Sequence, residues 1–268
     1  MTTSQSDKAA RFRALHRGPG AFLIPNPWDA GSARALAGLG FQALATSSGA
    51  CAGTLGRRDG KVTREEALAH ARAIVMATDL PVSADLEKGF GDAPAAAAET
   101  IRLAAGVGLV GGSIEDATGD KDQPLYDLEH ATERVAAACE AARRLDFPFL
   151  VTARAENFIR GNTDLDDTIL RLRAYEQAGA EVLYAPGLRT TDEIRSVCNA
   201  ITKPVNVLAR PNLSLREIAD AGARRISVGG RLTWVAVNAL VDAATAIRDH
   251  GDFSSLDSSP DFEKWLAL

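Results

Sequence analysis

The stretch Pro81–Asp92 has the sequence PVSADLEKGFGD, in which a short apolar run ends in carboxylates and then in glycines. Residues 82–85 have the length and composition of a buried strand. If Asp85 closes that strand, the carboxylates of Asp85 and Glu87 lean toward the same open end of the sheet. Oxygen ligands without histidine or cysteine nearby suit a hard cation such as Mg2+. A surface turn contains the same residue types, so the stretch alone leaves both interpretations open.

The same succession of strand and helix recurs from about residue 21 to residue 249. Short apolar runs alternate with longer segments of helical period, which is typical of repeated β/α units. Eight strands are predicted, each followed by a helix: 21–24, 42–46, 82–85, 109–115, 149–153, 181–184, 204–208 and 225–228. Eight units predict a closed (β/α)8 TIM barrel, while the rhythm alone also admits a doubly wound open sheet. No GxGxxG motif follows the first predicted strand.

The length of 268 residues, with a hydrophobic content of 46%, is enough for a sizeable core. We expect one barrel domain over 1–268, with a polar N-terminal tail of about 1–17 and a C-terminal extension of about 250–268. The sequence contains no run of roughly 18 apolar residues, and its N-terminus lacks the apolar core of a secretory signal. Neither a membrane nor secretion is therefore expected.

The cysteines and the charge indicate the setting in which the protein works. Cys51, Cys139 and Cys198 are far apart and lack metal-ligand spacing, which favours a reducing cytoplasm. The net charge of -5 is spread along the chain, and no basic run indicates nucleic acid. Small solutes are the expected partners.

In a barrel, the chemistry belongs at the carboxyl ends of the strands. Acidic residues are concentrated at these predicted positions: Asp59, Asp85, Glu87, Glu115 and Asp116. Carboxylates that converge on one mouth repel one another and raise each other's pKa unless a cation lies among them. Arg154, at the end of the fifth strand, offers a bidentate fork for a carboxylate or phosphonate, with a salt bridge to Glu156 as the alternative. The sequence therefore predicts a divalent metal and a small anionic oxoacid substrate.

Three further features belong to the predicted pocket. Residues 46–49 are small and can expose backbone N–H groups to an anion. Asn206 on the seventh strand is a weaker candidate for substrate binding. Trp28 either lines an apolar wall of the pocket or belongs to the core.

A series of motifs, in order and at family-like spacing over about residues 20–245, resembles the isocitrate lyase and phosphoenolpyruvate mutase superfamily. These motifs are NPWDAGSA (26–33), ATSSG (45–49), LGRRDG (55–60), PVSADLEKGFGD (81–92), IED (114–116), AR (153–154), AGA (178–180), PG (186–187) and SVGG (227–230). The resemblance implies a (β/α)8 barrel whose C-terminal helix is exchanged between subunits of a homodimer or homotetramer. It also implies Mg2+ or Mn2+ as cofactor and a 2-oxo or 2-hydroxy acid as substrate.

The resemblance implies a role for each acidic residue at the mouth. Asp85 would be the principal metal ligand. Glu87, Glu115 and Asp59 would hold metal-bound waters, and Asp59 would also take part in catalysis.

The resemblance likewise implies the substrate contacts. Ser47, Ser48 and Gly49 would receive a carboxylate, and Arg154 would hold the substrate from the opposite side. Arg154 and Ser47 would be catalytic as well. In this sequence Ala155-Glu156 replaces the Thr-Asp that usually follows the arginine in the family.

The reaction depends on the loop after the fourth strand, residues 116–126, with the sequence DATGDKDQPLY. Isocitrate and methylisocitrate lyases carry a Lys-Lys/Arg-Cys-Gly-His signature there, and this loop contains neither Cys nor His. Phosphoenolpyruvate mutases place a Lys and an Asn in the loop; Lys121 could match, but no Asn occurs between Asp116 and His130. Decarboxylation needs no base to deprotonate a hydroxyl group.

We therefore expect a Mg2+-dependent lyase that acts through a metal-stabilised pyruvate-type enolate. The favoured reaction is C–C cleavage or decarboxylation of an oxaloacetate-like acid. The alternatives are a methylisocitrate- or dimethylmalate-type lyase and a phosphonomutase of the carboxyphosphonoenolpyruvate or phosphoenolpyruvate type. A barrel that binds Mg2+ and an oxoacid without turnover is an alternative of another class.

Overall fold

The computed structural model describes residues 3–257 and 264–265. The strands are β1 (Phe22–Ile24), β2 (Leu44–Ala45), β3 (Val82–Asp85), β4 (Gly111–Glu115), β5 (Leu150–Arg154), β6 (Val182–Tyr184), β7 (Val205–Leu208) and β8 (Arg225–Ser227). The α-helices of the described part are α1 (Gln5–Arg17), α2 (Ala30–Gly38), α3 (Ser48–Thr54), α4 (Arg64–Met76), α5 (Pro94–Gly106), α6 (Leu128–Arg143), α7 (Leu165–Gln177), α8 (Thr191–Ala200), α9 (Leu215–Asp220) and α10 (Arg231–His250).

The eight strands are parallel and lie in the order β1-β8-β7-β6-β5-β4-β3-β2. The seam between β1 and β2 is bridged by a backbone bond of 3.1 Å from Ala45 N to Pro25 O. Buried Asn26 crosses the same seam, because it donates to Thr46 O at 3.0 Å and accepts from Val228 N at 3.1 Å. The (β/α)8 TIM barrel predicted from the sequence is therefore confirmed.

All eight predicted strands are present, with small differences at their ends. β3 has the predicted bounds, whereas β2 is shortened to Leu44–Ala45 and β4 begins at Gly111. A side chain at Gly111 would collide with the lower end of the barrel, since a Cβ there would lie 2.9 Å from Phe12 Cε1. The missing side chain lets α1 approach the barrel closely.

Helix α1 covers the lower end of the barrel, where the strands begin. Ser4 caps it, accepting a hydrogen bond from Asp7 N. Its side chains Phe12 and His16 are buried, although the sequence pattern of this segment indicated only a polar tail. The N-terminal residues thus close the barrel from below and leave the carboxyl ends of the strands open.

Helix α10 differs from the other long helices because it is mostly exposed. Among its residues, all of which the structure describes, Thr233 is the only one that is buried. Its apolar side chains are exposed: Trp234 at 47%, Val235 at 66%, Val237 at 39%, Leu240 at 67% and Val241 at 54%. The expected C-terminal extension of about 250–268 lies partly outside the described residues. Among the helices of residues 3–257, none has the length and apolar character needed to cross a membrane.

Candidate active site

A cavity of about 560 Å3 opens at the carboxyl ends of the strands. Most of the predicted site residues line it: Ser47, Ser48, Gly49, Asp59, Asp85, Arg154 and Asn206. They come from the segments after β2, from the ends of β3 and β5, and from within β7, where Asn206 is the second residue, and the closed barrel brings them to one cavity. The structure thus gathers residues that are up to 159 positions apart in sequence, from Ser47 to Asn206.

Asp85 lies at the centre of this group. Its Oδ1 accepts hydrogen bonds from Arg154 Nη1 at 2.9 Å and from Glu87 N at 3.2 Å. Its Oδ2 accepts from Ser48 Oγ at 3.0 Å and Ser48 N at 3.3 Å. Burial alone would raise the pKa of Asp85, but Arg154 and these donors hold it below its usual value. Asp85 is therefore a carboxylate at neutral pH.

Arg154 is surrounded by three carboxylates. Besides Asp85, its Nη2 lies 3.2 Å from Glu115 Oε2 and 2.7 Å from Glu156 Oε1, and its Nε donates to Glu156 Oε1 at 3.0 Å. Burial would lower the pKa of this guanidinium, but Glu156 and the other carboxylates raise it well above its usual value. Its guanidinium also lies over the ring of Tyr184, 5.3 Å from the centroid. The arginine is fixed in place by charge on several sides.

Glu156, which orients Arg154, is itself held in place by Asp116. The Glu156 backbone N–H donates to Asp116 Oδ1 at 2.8 Å. Asp116 Oδ2 accepts from Tyr175 OH at 2.7 Å and from Arg171 Nη1 at 3.1 Å. Asp116 is 2% exposed, so it supports the site from behind and does not line the mouth. Its position beside Glu115 in sequence did not reveal this role.

The acidic candidates Glu87 and Glu115 both have a raised pKa. Burial and the charges of Asp85 and Asp59 raise the pKa of Glu87 to about 7. Burial and then Glu156 raise the pKa of Glu115 well above its usual value. Neither Glu87 nor Glu115 lines the main cavity; Glu87 faces a small side cavity beside Asp85. Burial is the largest cause of both shifts, and the neighbouring carboxylates add to it.

The loop that carries Glu87 is strained and anchored by an unexpected residue. Glu87 has φ 49° and Phe90 has φ 57°, in the left-handed region that side chains rarely adopt. Buried Arg134 of α6 donates to the carbonyl groups of Lys88, Gly91 and Asp92. The sequence did not indicate this contact, because Arg134 lies in the middle of a predicted amphipathic helix.

Two predicted residues are used differently from expectation. Ser48 gives both its N–H and its hydroxyl to Asp85, so these donors are engaged within the protein. Trp28 is not among the residues that line the cavity. Its backbone N–H donates to Ser32 Oγ at 3.0 Å and its carbonyl contacts His70 Nε2 at 2.7 Å, which holds it at the start of α2.

The loop after β4 forms a small hairpin. Ala117 and Leu125 pair as an antiparallel bridge, and Tyr126 N donates to Asp116 O at 2.9 Å. Its tip, residues 119–123, is exposed. The loop is therefore an ordered hairpin that is held together by hydrogen bonds between its own two arms.

Comparison with known proteins places this site in a family. The family model for phosphoenolpyruvate phosphomutase matches residues 12–248 of this chain. An uncharacterized protein of Mycobacterium tuberculosis is 31% identical over 240 residues, 89% of each chain. An oxaloacetate decarboxylase of Marinomonas sp. is 29% identical, covering 96% of this chain and 91% of the other.

A solved structure is similar over nearly the whole length. It is a putative lyase/mutase from Burkholderia cenocepacia J2315, 53% identical, with a TM-score of 0.96 and 98% of each chain covered. Together with the family match, this similarity covers every element that builds the mouth. The chain belongs to the phosphoenolpyruvate phosphomutase family of the isocitrate lyase/phosphoenolpyruvate mutase superfamily, whose members are lyases and mutases.

Proposed function

We propose that the protein is a Mg2+-dependent lyase that cleaves or decarboxylates an oxaloacetate-like acid. The observation that carries the proposal is the ion pairing of Asp85 and Glu115 with Arg154 beside the cavity, with Glu87 in the side cavity next to Asp85. The similarity to an oxaloacetate decarboxylase supports the choice of substrate. Mn2+ is the alternative cofactor.

The residues fit a hard cation. All candidate ligands are carboxylates. Burial and then neighbouring carboxylates raise the pKa of Glu87 and of Glu115, and a cation among them would lower both. In the described ranges, no three acidic, histidine or cysteine side chains are grouped as direct ligands. Mg2+ commonly takes one or two carboxylates and keeps several waters. Asp85 would hold the ion directly, and Glu87, Glu115 and Asp59 would hold its waters.

When bound, the ion would supply Lewis-acid stabilisation of the negative charge that develops on the keto oxygen of the substrate. The protein's own residues supply binding and orientation. Arg154 is fixed by Glu156 and presents a planar cation at the cavity, where it can bind a substrate oxygen. Ser47, which caps α3, and Gly49, in the first turn of that helix, would receive a carboxylate. These contacts hold the substrate while one carbon–carbon bond breaks.

The loop after β4 favours decarboxylation over the alternatives. Its hairpin, residues 117–125, contains no Cys, His or Asn. A methylisocitrate- or dimethylmalate-type lyase and a phosphonomutase would need their acid or their phosphoryl-binding groups from elsewhere. A barrel that binds Mg2+ and oxoacid without turnover is the candidate of another class.

One panel tests these candidates. Purified protein is given oxaloacetate, methylisocitrate, dimethylmalate and phosphonopyruvate with Mg2+; pyruvate release is followed for each acid, and formation of phosphoenolpyruvate is followed for phosphonopyruvate. We expect release from oxaloacetate above the rate of the metal alone, and its loss with chelator or in Asp85→Ala. Asp192→Ala, an 88% exposed carboxylate on α8, is the matched control and should keep full activity. Equal rates for wild type and Asp85→Ala on all four acids would reject catalysis at this site.

The exposed face of α10 supports a homo-oligomer. A helix with this much uncovered apolar surface is normally covered by another protein surface. The first turn of α10 remains with its own barrel, since Trp234 lines the cavity and lies against Gly53 of α3. We place the rest of the helix on a second copy of this chain, in a homodimer or homotetramer with exchanged helices.

The proposed setting is the cytoplasm. Cys51, Cys139 and Cys198 are all free thiols, which suits a reducing compartment. The proposed partners are small anionic oxoacids, with neither nucleic acid nor membrane.

A further inference from the structure

Arg225, the first residue of β8, is a buried cation whose protein partners are all neutral. It is 6% exposed and lines the main cavity from below. Its Nε donates to Asn206 Oδ1 at 2.9 Å, and its Nη2 donates to Thr152 Oγ1 at 3.1 Å. Its Nη1 lies 3.5 Å from His16 Nε2. Three of the five N–H groups of the guanidinium thus have uncharged partners.

The histidine beneath it is held in the neutral form. His16 Nδ1 contacts Phe12 O at 2.8 Å, which makes Nδ1 the donor and leaves Nε2 as an acceptor for Arg225. Burial and then the charge of Arg225 lower the pKa of His16 to about 3. Helix α1 therefore supports the guanidinium without neutralising it.

No carboxylate of the described residues forms an ion pair with Arg225, in contrast to the other cations of the cavity. Arg57 is paired with Glu66 at 2.7 Å, and Arg154 is surrounded by three carboxylates. Arg58 is exposed at the mouth. Arg225 is accordingly the buried positive charge of the cavity that has no negative partner. Buried charges are normally paired, because an isolated one carries a large desolvation cost.

The cavity floor around Arg225 is polar. Ser83, Ser113, Asn206 and Ser227 line it, all from strands of the barrel interior. Thr152, which accepts from Arg225, lies two residues before Arg154 on β5, so the guanidinium is roughly 7 Å below the Arg154 level. A ligand that contacts Asp85 or Arg154 at the mouth can extend downward to this floor.

We propose that Arg225 binds the second anionic group of the substrate at the floor of the cavity and thereby selects diacids over monocarboxylic 2-oxo and 2-hydroxy acids. The oxo or hydroxy end of the substrate stays at the mouth, near Asp85. The guanidinium offers its remaining N–H groups and its charge to a carboxylate or phosphonate. This inference rests on the proposed function for the orientation of the substrate.

Binding of matched acids tests the subsite without turnover. Malate and 2-hydroxybutyrate differ only in the distal carboxylate, which is a methyl group in the second acid. With Mg2+ present, we expect wild-type protein to bind malate about tenfold to a hundredfold more tightly, measured by isothermal titration. Arg225→Met should bind the two acids equally. Arg225→Lys, which keeps the charge but not the fork, should keep part of the preference.

Two controls separate binding from folding. Lys8→Met removes another buried cation of the lower barrel end, outside the cavity, and should keep the wild-type preference. Thermal unfolding without ligand shows whether each variant is folded; Arg225→Gln, which retains a donor, replaces Arg225→Met if the latter is not. A folded Arg225 variant with an unchanged preference for malate overturns the proposal.

Further arms identify the group and keep the two proposals apart. Comparing malate with 2-hydroxy-3-phosphonopropionate shows whether a carboxylate or a phosphonate binds more tightly to Arg225. If oxaloacetate is turned over, the Arg225→Met defect should fall on KM more than on kcat, because the contact exists already in the bound substrate. A protein without turnover that still shows the Arg225-dependent preference refutes the proposed reaction and supports the subsite. Turnover of oxaloacetate without an Arg225-dependent preference for malate supports the proposed reaction and refutes the subsite.

Discussion

Arg154 Nη1 lies 2.9 Å from Asp85 Oδ1, so the carboxylate proposed to hold the metal already forms an ion pair with the arginine proposed to hold the substrate. The two side chains come from β5 and β3, with β4 between them. In the absence of ligands each neutralises part of the other's charge. A cation at Asp85 and an anion at Arg154 would each replace part of this ion pair.

Removal of the arginine should therefore destabilise the protein in a way that Mg2+ reverses. Arg154→Met leaves Asp85, Glu115 and Glu156 crowded without their cation, and we expect the free energy of unfolding to fall by about 3–5 kcal/mol in chelator. Mg2+ should restore more stability to this variant than to the wild type. Urea unfolding with and without Mg2+ measures both effects. Arg102→Met, on an exposed pair with Glu99, is the control and should change little.

The orientation of Arg154 by Glu156 can be tested separately. Glu156→Gln keeps the size of the side chain but weakens the contacts at 2.7 and 3.0 Å. We expect kcat/KM for oxaloacetate to fall about tenfold to a hundredfold with the fold retained. Steady-state kinetics beside the exposed control Glu99→Gln checks this. An unchanged kcat/KM would show that Asp85 and Glu115 suffice to place the arginine.

Buried His16 should make stability fall in mild acid. Its pKa is about 3 in the folded protein against 6.5 as its ordinary value, so the unfolded chain binds the proton more tightly. Stability from this group is complete above about pH 6.5 and is lost as the pH falls toward 3, at about 1.4 kcal/mol per pH unit. His16→Gln should lack this part of the slope in urea unfolding between pH 7 and 4. Identical slopes for His16→Gln and wild type would contradict the assignment.

The apolar face of α10 predicts the effect of a charge on assembly. Leu240→Asp places a carboxylate where a second copy is proposed to pack, and we expect the oligomer to dissociate. Light scattering after size-exclusion chromatography measures the mass. Met76→Asp, on α4 at 74% exposed, is the matched control and should leave the mass unchanged. A monomeric wild type would refute the exchanged helix.

The fold and much of the mouth could be predicted because each depends on local pattern. The strand of residues 82–85 has its predicted bounds, since an apolar run between Pro81 and a Glu-Lys-Gly turn leaves little choice of register. Asp85 and Arg154 follow from their places at strand ends, because a parallel barrel delivers all such ends to one side. These inferences needed no knowledge of distant contacts.

The roles of Arg225 and Asp116 could not be predicted, because they depend on contacts between residues that are distant in sequence. Arg224 and Arg225 are adjacent and chemically alike, yet Arg224 donates to the carbonyl groups of Gly18 and Gly20 while Arg225 enters the barrel interior. Alternation sends neighbours to opposite faces, but it does not say which one is inside. Asp116 likewise depends on Tyr175 and Arg171 of α7, whose positions follow only from the packed fold.

The hairpin between Asp116 and Tyr126 begins and ends at one backbone hydrogen bond, Tyr126 N to Asp116 O. Its internal bridge joins Ala117 to Leu125, so the segment folds on its own small frame. One further bond ties the hairpin to the segment after β3, from Lys88 Nζ to Thr118 O at 2.6 Å. A loop from a relative with a different reaction, grafted between the same two residues, would have to keep or replace that anchor. Evolution of new chemistry on this scaffold would then require change in one short segment, while the carboxylates and arginines beneath it stay as they are.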